Sequence, residues 1–104
     1  MAAVGLVVAK IGSSTLVDET GALDRRFIRS LCDQVSTLLS GGTRVVVVSS
    51  GAAAAGRETL GFSSRPSDIA TLQACASAGQ ARLTQAYADV LAERGIPCGQ
   101  VLLT

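Results

Sequence analysis

The chain has 104 residues, 48 % of them hydrophobic and 16 % charged, with a net charge of +1. That describes one small, core-rich domain and excludes a disordered segment. The near-neutral balance and an aromatic content of 3 % leave neither an electrostatic footprint nor a stacking platform for nucleic acid, and no basic face for a membrane surface.

There is no histidine, so the commonest general base and metal ligand is missing. Chemistry must rest on lysine, hydroxyls, carboxylates and backbone amides. Lys10 is the one lysine; every other cation is an arginine. Cys32, Cys75 and Cys98 are far apart, odd in number and form no C-x-x-C pair. They read as small buried thiols in a reducing compartment, with no zinc site. Met1 to Leu6 shows no pattern of a signal peptide, and the apolar runs are too short to span a bilayer. A cytoplasmic location is the expectation.

In chain order, Leu6–Ile11 is a short apolar run ending at a glycine, read as a first strand, with Gly12-Ser13-Ser14-Thr15 as the loop leaving its C-terminal end. Leu16 to Leu23 reads as a solvated loop or a small hairpin. Asp24 is a good N-cap for a helix in which Phe27, Leu31, Val35 and Leu38 recur at helical spacing and which stops at Gly41-Gly42. From about Arg44 comes Val45-Val46-Val47-Val48, apolar on both faces, which predicts a strand buried from both sides. It ends at Ser49-Ser50-Gly51 and runs into Ala52–Ala55, a helix seed closing at Gly61. Ser67 is expected to cap a further helix carrying Ile69, Leu72 and Ala76. Ser77-Ala78-Gly79-Gln80 is a candidate interruption, and Leu83, Tyr87 and Leu91 continue the helix to Gly95. Gln100–Leu103 reads as a third strand.

Strand, helix, strand, helices, strand is the alternation of an α/β fold with a mainly parallel sheet. Three strands leave two unpaired edges, and doubly wound folds use about five or six strands. The expectation is the front part of a larger domain, or a dimer joined edge to edge.

In a parallel sheet the loops after both strands lie at the same C-terminal edge, where ligands bind in open α/β folds. That edge would bring Lys10 and the Gly12-Ser13-Ser14 loop beside the Ser49-Ser50-Gly51 turn. A lysine beside amide-lined loops suits phosphoryl transfer: the ammonium offsets charge while amides fix the oxygens. A strand, a glycine turn and a helix start also present N–H groups and a positive dipole end to an anion. The plainer alternatives are a solvated strand-end lysine, serines that cap the following helix, and a tight connection with no ligand. No G-x-x-x-x-G-K-[ST] and no G-x-G-x-x-G is present; Gly51 to Gly56 has the P-loop glycine spacing, but Arg57-Glu58 follows. Arg57 and Glu58 read as exposed helix residues, and Tyr87 as packing.

Val8-Ala9-Lys10-Ile11-Gly12-Ser13-Ser14-Thr15-Leu16 resembles the opening motif of glutamate 5-kinases, a branch of the amino-acid kinase family. Val48-Ser49-Ser50-Gly51-Ala52-Ala53-Ala54-Ala55-Gly56-Arg57-Glu58-Thr59-Leu60-Gly61 resembles their more distinctive second motif, and Ala78-Gly79-Gln80 and Gly99–Thr104 match later landmarks in order. The resemblance implies a three-layer α/β/α sandwich of the carbamate kinase-like kind. It implies transfer of the γ-phosphoryl of ATP, with Mg²⁺, to the side-chain carboxylate of L-glutamate, the first step of proline biosynthesis, in a homo-oligomer. Carried over to matching positions, Lys10 would contact the ATP phosphates and the transferring group. Gly12 and Ser13 would contact the phosphoryl group from their loop. Ser50, with the amides of Gly51 and Ala52, would hold glutamate. Family members continue well past Thr104, so most of the nucleotide site lies beyond these residues, and the 104-residue chain by itself is expected to be inactive. The alternatives are a non-catalytic truncated product that associates through its open sheet edge, and a kinase acting on another carboxylate.

Overall fold

The computed structural model describes residues 5–102. β1 (Leu6–Ile11) is followed by one helical turn, α1 (Ser13–Leu16), and by α2 (Arg25–Ser40); β2 (Arg44–Ser49), α3 (Ala52–Leu60) and α4 (Ile69–Ala92) follow in order. β1 and β2 pair in parallel, with Leu6 opposite Arg44, Lys10 opposite Val48 and Ile11 opposite Ser49. This is an α/β unit built on a two-stranded sheet.

Between α1 and α2 the chain makes a small hairpin, closed by a bridge between Val17 and Leu23. It is not merely solvated: Leu16 and Leu23, on either side of it, are buried in the core. Asp18 organises its tip by accepting from the Thr20 hydroxyl at 2.6 Å and the Thr20 N–H at 2.8 Å. Asp24 caps α2 through the Phe27 N–H at 3.0 Å. The buried stripe of α2 is Ile28, Cys32 and Val35, with Phe27 and Leu31 on its flank. The apolar spacing found the helix and the buried Val35, but in its first turns the inward positions are Ile28 and Cys32, one residue on from the expected Phe27 and Leu31.

The core gathers that stripe with Ala55 from α3 and Leu83, Ala86, Tyr87, Val90 and Leu91 from α4, against Ile11, Val45 and Val47 of the sheet. Side chains alternate across a strand, so only one face of the sheet meets this core. On the other face Leu6, Val8, Val46 and Val48 are exposed, Val8 by 59 % and Val48 by 41 %. The expectation that Val45–Val48 is buried from both sides is therefore corrected. An all-apolar strand reports what both faces tolerate, but covering each face takes a separate layer of helices.

The third strand does not form within the described residues. Gln100–Leu102 carry no sheet pairing, and a groove of about 790 Å³ separates the tail from β2. Pro97 lacks the N–H a ladder needs, and Gly95 turns the chain with φ 70° just before it. Leu103 lies outside the described residues.

Nor is α4 interrupted at Ser77–Gln80; it runs unbroken from Ile69 to Ala92. Its cap is Asp68, whose carboxylate accepts from the Thr71 N–H at 2.9 Å, in place of Ser67. Gly79 has a packing reason: a Cβ there would overlap the Ala52 carbonyl oxygen and the Gly56 nitrogen. Gly56 in turn sits against the Cys75 carbonyl, where a Cβ would overlap backbone. α3 and α4 thus meet backbone to backbone through two glycines. Cys32 and Cys75 are buried free thiols, as expected, but Cys98 is exposed.

Candidate active site at the C-terminal edge of the sheet

The parallel register brings the two strand ends together. The Ser50 N–H donates to the Ile11 carbonyl at 3.0 Å, extending the ladder one residue past the end of β2. Lys10, one residue earlier, lies on the open face beside Val48, exposed and without an ion pair among the described residues. Gly12 forms the entry to the α1 turn, with extended backbone (φ −80°, ψ 162°). A Cβ at Gly12 would meet nothing within 4 Å, so the loop has open space beside it.

Gly51 caps α3 in the left-handed region, with φ 103°. That conformation favours glycine, and the space is also taken, since a Cβ would lie 3.2 Å from the Leu16 side chain. Because Gly51 has no side chain, no side-chain cap satisfies the first turn of α3. Its leading N–H groups therefore keep the donor capacity and partial positive charge of a helix start. The Ala52 carbonyl, pressed against Gly79, anchors that start.

The two serines before Gly51 divide their work, and neither caps α3. Ser49 faces the core, where its hydroxyl donates to the Ser50 carbonyl at 3.0 Å and lies 3.0 Å from the Tyr87 hydroxyl. Ser49 has one proton, already given to Ser50, so Tyr87 is the donor in that second bond. Burial pushes the Tyr87 phenol above its usual range, so the hydroxyl keeps its proton at neutral pH. Ser50 is exposed.

A hollow of about 270 Å³ opens beside this edge, and Ser13, Ser14, Gly51, Arg57 and Arg65 are among its lining. Of the residues singled out from the sequence, Ser13 and Gly51 share it; Lys10, Gly12, Ser50 and Ala52 lie outside its lining. Arg57 is half-buried rather than exposed, its Nε enclosed without a hydrogen-bond partner and its guanidinium packed against Gly21. Glu58 faces Arg82 at 3.6 Å, an exposed pair that contributes little. Sequence reasoning missed Arg57's place in the hollow and Tyr87's second role. The Arg57-Glu58 position on α3 was visible, but nothing local reported the hairpin that folds over it.

The C-terminal edge of this parallel strand pair carries a lysine one residue from the end of β1 and a glycine-capped helix start after β2, and the chain belongs to the amino acid kinase family, which matches residues 5–104. More particularly, it is similar to glutamate 5-kinases. It is 47 % identical over 98 residues to that of Citrifermentans bemidjiense, covering 94 % of this chain and 26 % of that protein. It is 46 % identical to that of Mycobacterium ulcerans and 50 % identical to that of Salinispora arenicola, each over 94 % of this chain and 27 % of the relative. The chain thus spans about a quarter of the length of the curated relatives it matches. Among the described residues no helix is long and apolar enough to cross a membrane.

Proposed function

We propose that these residues build the phosphoryl-transfer edge of a glutamate 5-kinase, which moves the γ-phosphoryl of ATP to the side-chain carboxylate of L-glutamate. The observation that carries the reading is the junction of Ile11 with Ser50, which sets Lys10, the Gly12-Ser13 loop and the Ser50-Gly51 turn at one edge of a parallel pair. In this reading Lys10 offsets the charge of the ATP phosphates and of the transferring group. Gly12 and Ser13 contact that group from the open loop. The Ser50 hydroxyl and the Gly51 and Ala52 amides hold glutamate. Such a reaction needs positioning and charge neutralisation more than a covalent nucleophile, and these are the groups the edge offers.

The described residues contain no cluster of three acidic or cysteine side chains able to hold a metal. By themselves they do not build a site for Mg²⁺. The greater length of the relatives supports a further layer over the bare sheet face, completing a three-layer sandwich, with the nucleotide site mostly beyond these residues. The reading places the enzyme in the cytoplasm at the first step of proline biosynthesis, as a homo-oligomer.

ATP-dependent formation of γ-glutamyl hydroxamate tests the proposal. The full gene product should turn over L-glutamate, and Lys10→Ala should lower that rate by about a hundredfold to a thousandfold. Near-normal turnover in the variant would remove Lys10 from the chemistry. Preference for another amino acid would point to a different carboxylate kinase. The free edges of the two-stranded sheet favour one second reading, a non-catalytic chain that associates edge to edge. A stable monomer in sedimentation would dispose of it.

A further inference from the structure

We propose that Tyr87 is a positioning residue for the glutamate-holding turn, acting through Ser49 to aim the Gly51 N–H at the substrate. The inference rests on the reading above, and it concerns a residue on α4, well separated in sequence from the two strand-end loops.

The relay runs through three groups. The Tyr87 hydroxyl donates to the Ser49 Oγ at 3.0 Å, and the Ser49 hydroxyl donates to the Ser50 carbonyl at 3.0 Å. The Ser50 N–H is meanwhile tied to the Ile11 carbonyl at 3.0 Å. Ser50 is thus held from both of its peptide groups. The peptide that joins Ser50 to Gly51 is planar and trans, so its C=O and N–H point in opposite directions. Drawing the carbonyl toward Ser49 therefore drives the Gly51 N–H the other way. Gly51 lines the 270 Å³ hollow, and its left-handed φ of 103° continues that orientation into the unsatisfied first turn of α3.

A bystander would look different. A tyrosine that only fills space in the core has no need of a partner at the site edge, and its hydroxyl would reach solvent or a nearby carbonyl. Tyr87 is 9 % exposed, and Ser49 is the side-chain partner its hydroxyl finds. Ser49 in turn uses its inward-facing hydroxyl on the very peptide that precedes the anion-holding amide. Every hydroxyl proton in the relay has a destination, and the last one fixes a backbone group at the site.

The test uses the ¹⁵N-labelled full gene product and follows the Gly51 amide by NMR, with the Cys32 and Val35 amides of α2 as reporters of the core. Tyr87→Phe removes only the hydroxyl. It is expected to move or broaden the Gly51 signal while the α2 reporters stay in place. Ser49→Ala should do the same, and Ser49→Thr, which keeps the hydroxyl, should restore the original signal. In a titration with L-glutamate read at Gly51, affinity should fall about fivefold in Tyr87→Phe, the worth of one neutral hydrogen bond. An unmoved Gly51 signal in Tyr87→Phe overturns the inference. So does a change spread equally over α2, because Tyr87 would then only pack. A wild-type chain whose Gly51 signal ignores glutamate defeats the substrate reading instead, and the ligand-free spectra still decide whether Tyr87 sets the turn.

Discussion

The α3–α4 pair and the sheet treat space in opposite ways. Where α3 crosses α4, Gly56 and Gly79 let backbone touch backbone, and a single added carbon at either would overlap a neighbouring main chain. On the outer face of the sheet, Leu6, Val8, Val46 and Val48 stand exposed. One region is closed to the last methyl group; the other is left bare on one side. The closed region carries the helix start that follows Ser50 and Gly51, so precision is concentrated behind the proposed glutamate-holding turn rather than in the sheet that bears Lys10.

Substitutions should reveal that contrast in graded steps. The largest effect is expected from Gly79→Ala, which forces α3 and α4 apart and should cost about 3 kcal/mol of stability in urea unfolding. A loss under about 0.5 kcal/mol would mean the crossing is looser than drawn. Gly51→Ala should cost about 1–3 kcal/mol through its left-handed backbone and its approach to Leu16. It should also displace the start of α3, visible as a shift of the Ala52 amide. A smaller effect belongs to the loop ends. The Asp68 carboxylate is held below the usual carboxylate range, first by the Thr71 hydroxyl and then by the Thr71 N–H. Its contribution is present above the unfolded pKa and is lost as pH falls through the lower folded value. Asp18, held down first by the Thr20 hydroxyl, behaves alike. Melting temperature should therefore fall as pH drops below about 4, and Asp68→Asn should flatten part of that slope. The smallest effect is expected for Val48→Thr on the bare face, within about 0.5 kcal/mol. A large loss there would show that something already covers that face in solution.

Much of this architecture could be read from local signals. Asp24 announces α2, Gly41-Gly42 ends it, and Gly61 closes α3, because caps and stops act within a few residues. The strand-end loops were visible for the same reason: at Ile11-Gly12 and at Val48-Ser49 the chain changes from β-branched to small residues. Apart from the α4 cap, which falls on Asp68 rather than on the neighbouring Ser67, the misses required a partner distant in sequence. Gly79 looked like a break in a helix until α3 lay against it. Tyr87 looked like packing until β2 brought Ser49 to its hydroxyl. Val45–Val48 could not say which of its faces a helix would reach. Gln100–Leu102 had strand-like residues but no neighbour positioned to pair with them. The proposed site shares this division, since its loops are local and the relay behind them is not.

The glycine crossing also constrains how this sequence can change over generations. When two side chains clash, a smaller residue at one position can make room for a larger one at the other. At Gly56 and Gly79 the opposing atoms are mainly carbonyl and peptide groups, which every residue possesses. No second substitution can trim them away. The two positions lack the compensating routes by which packed residues ordinarily drift, and each must be kept independently of the other.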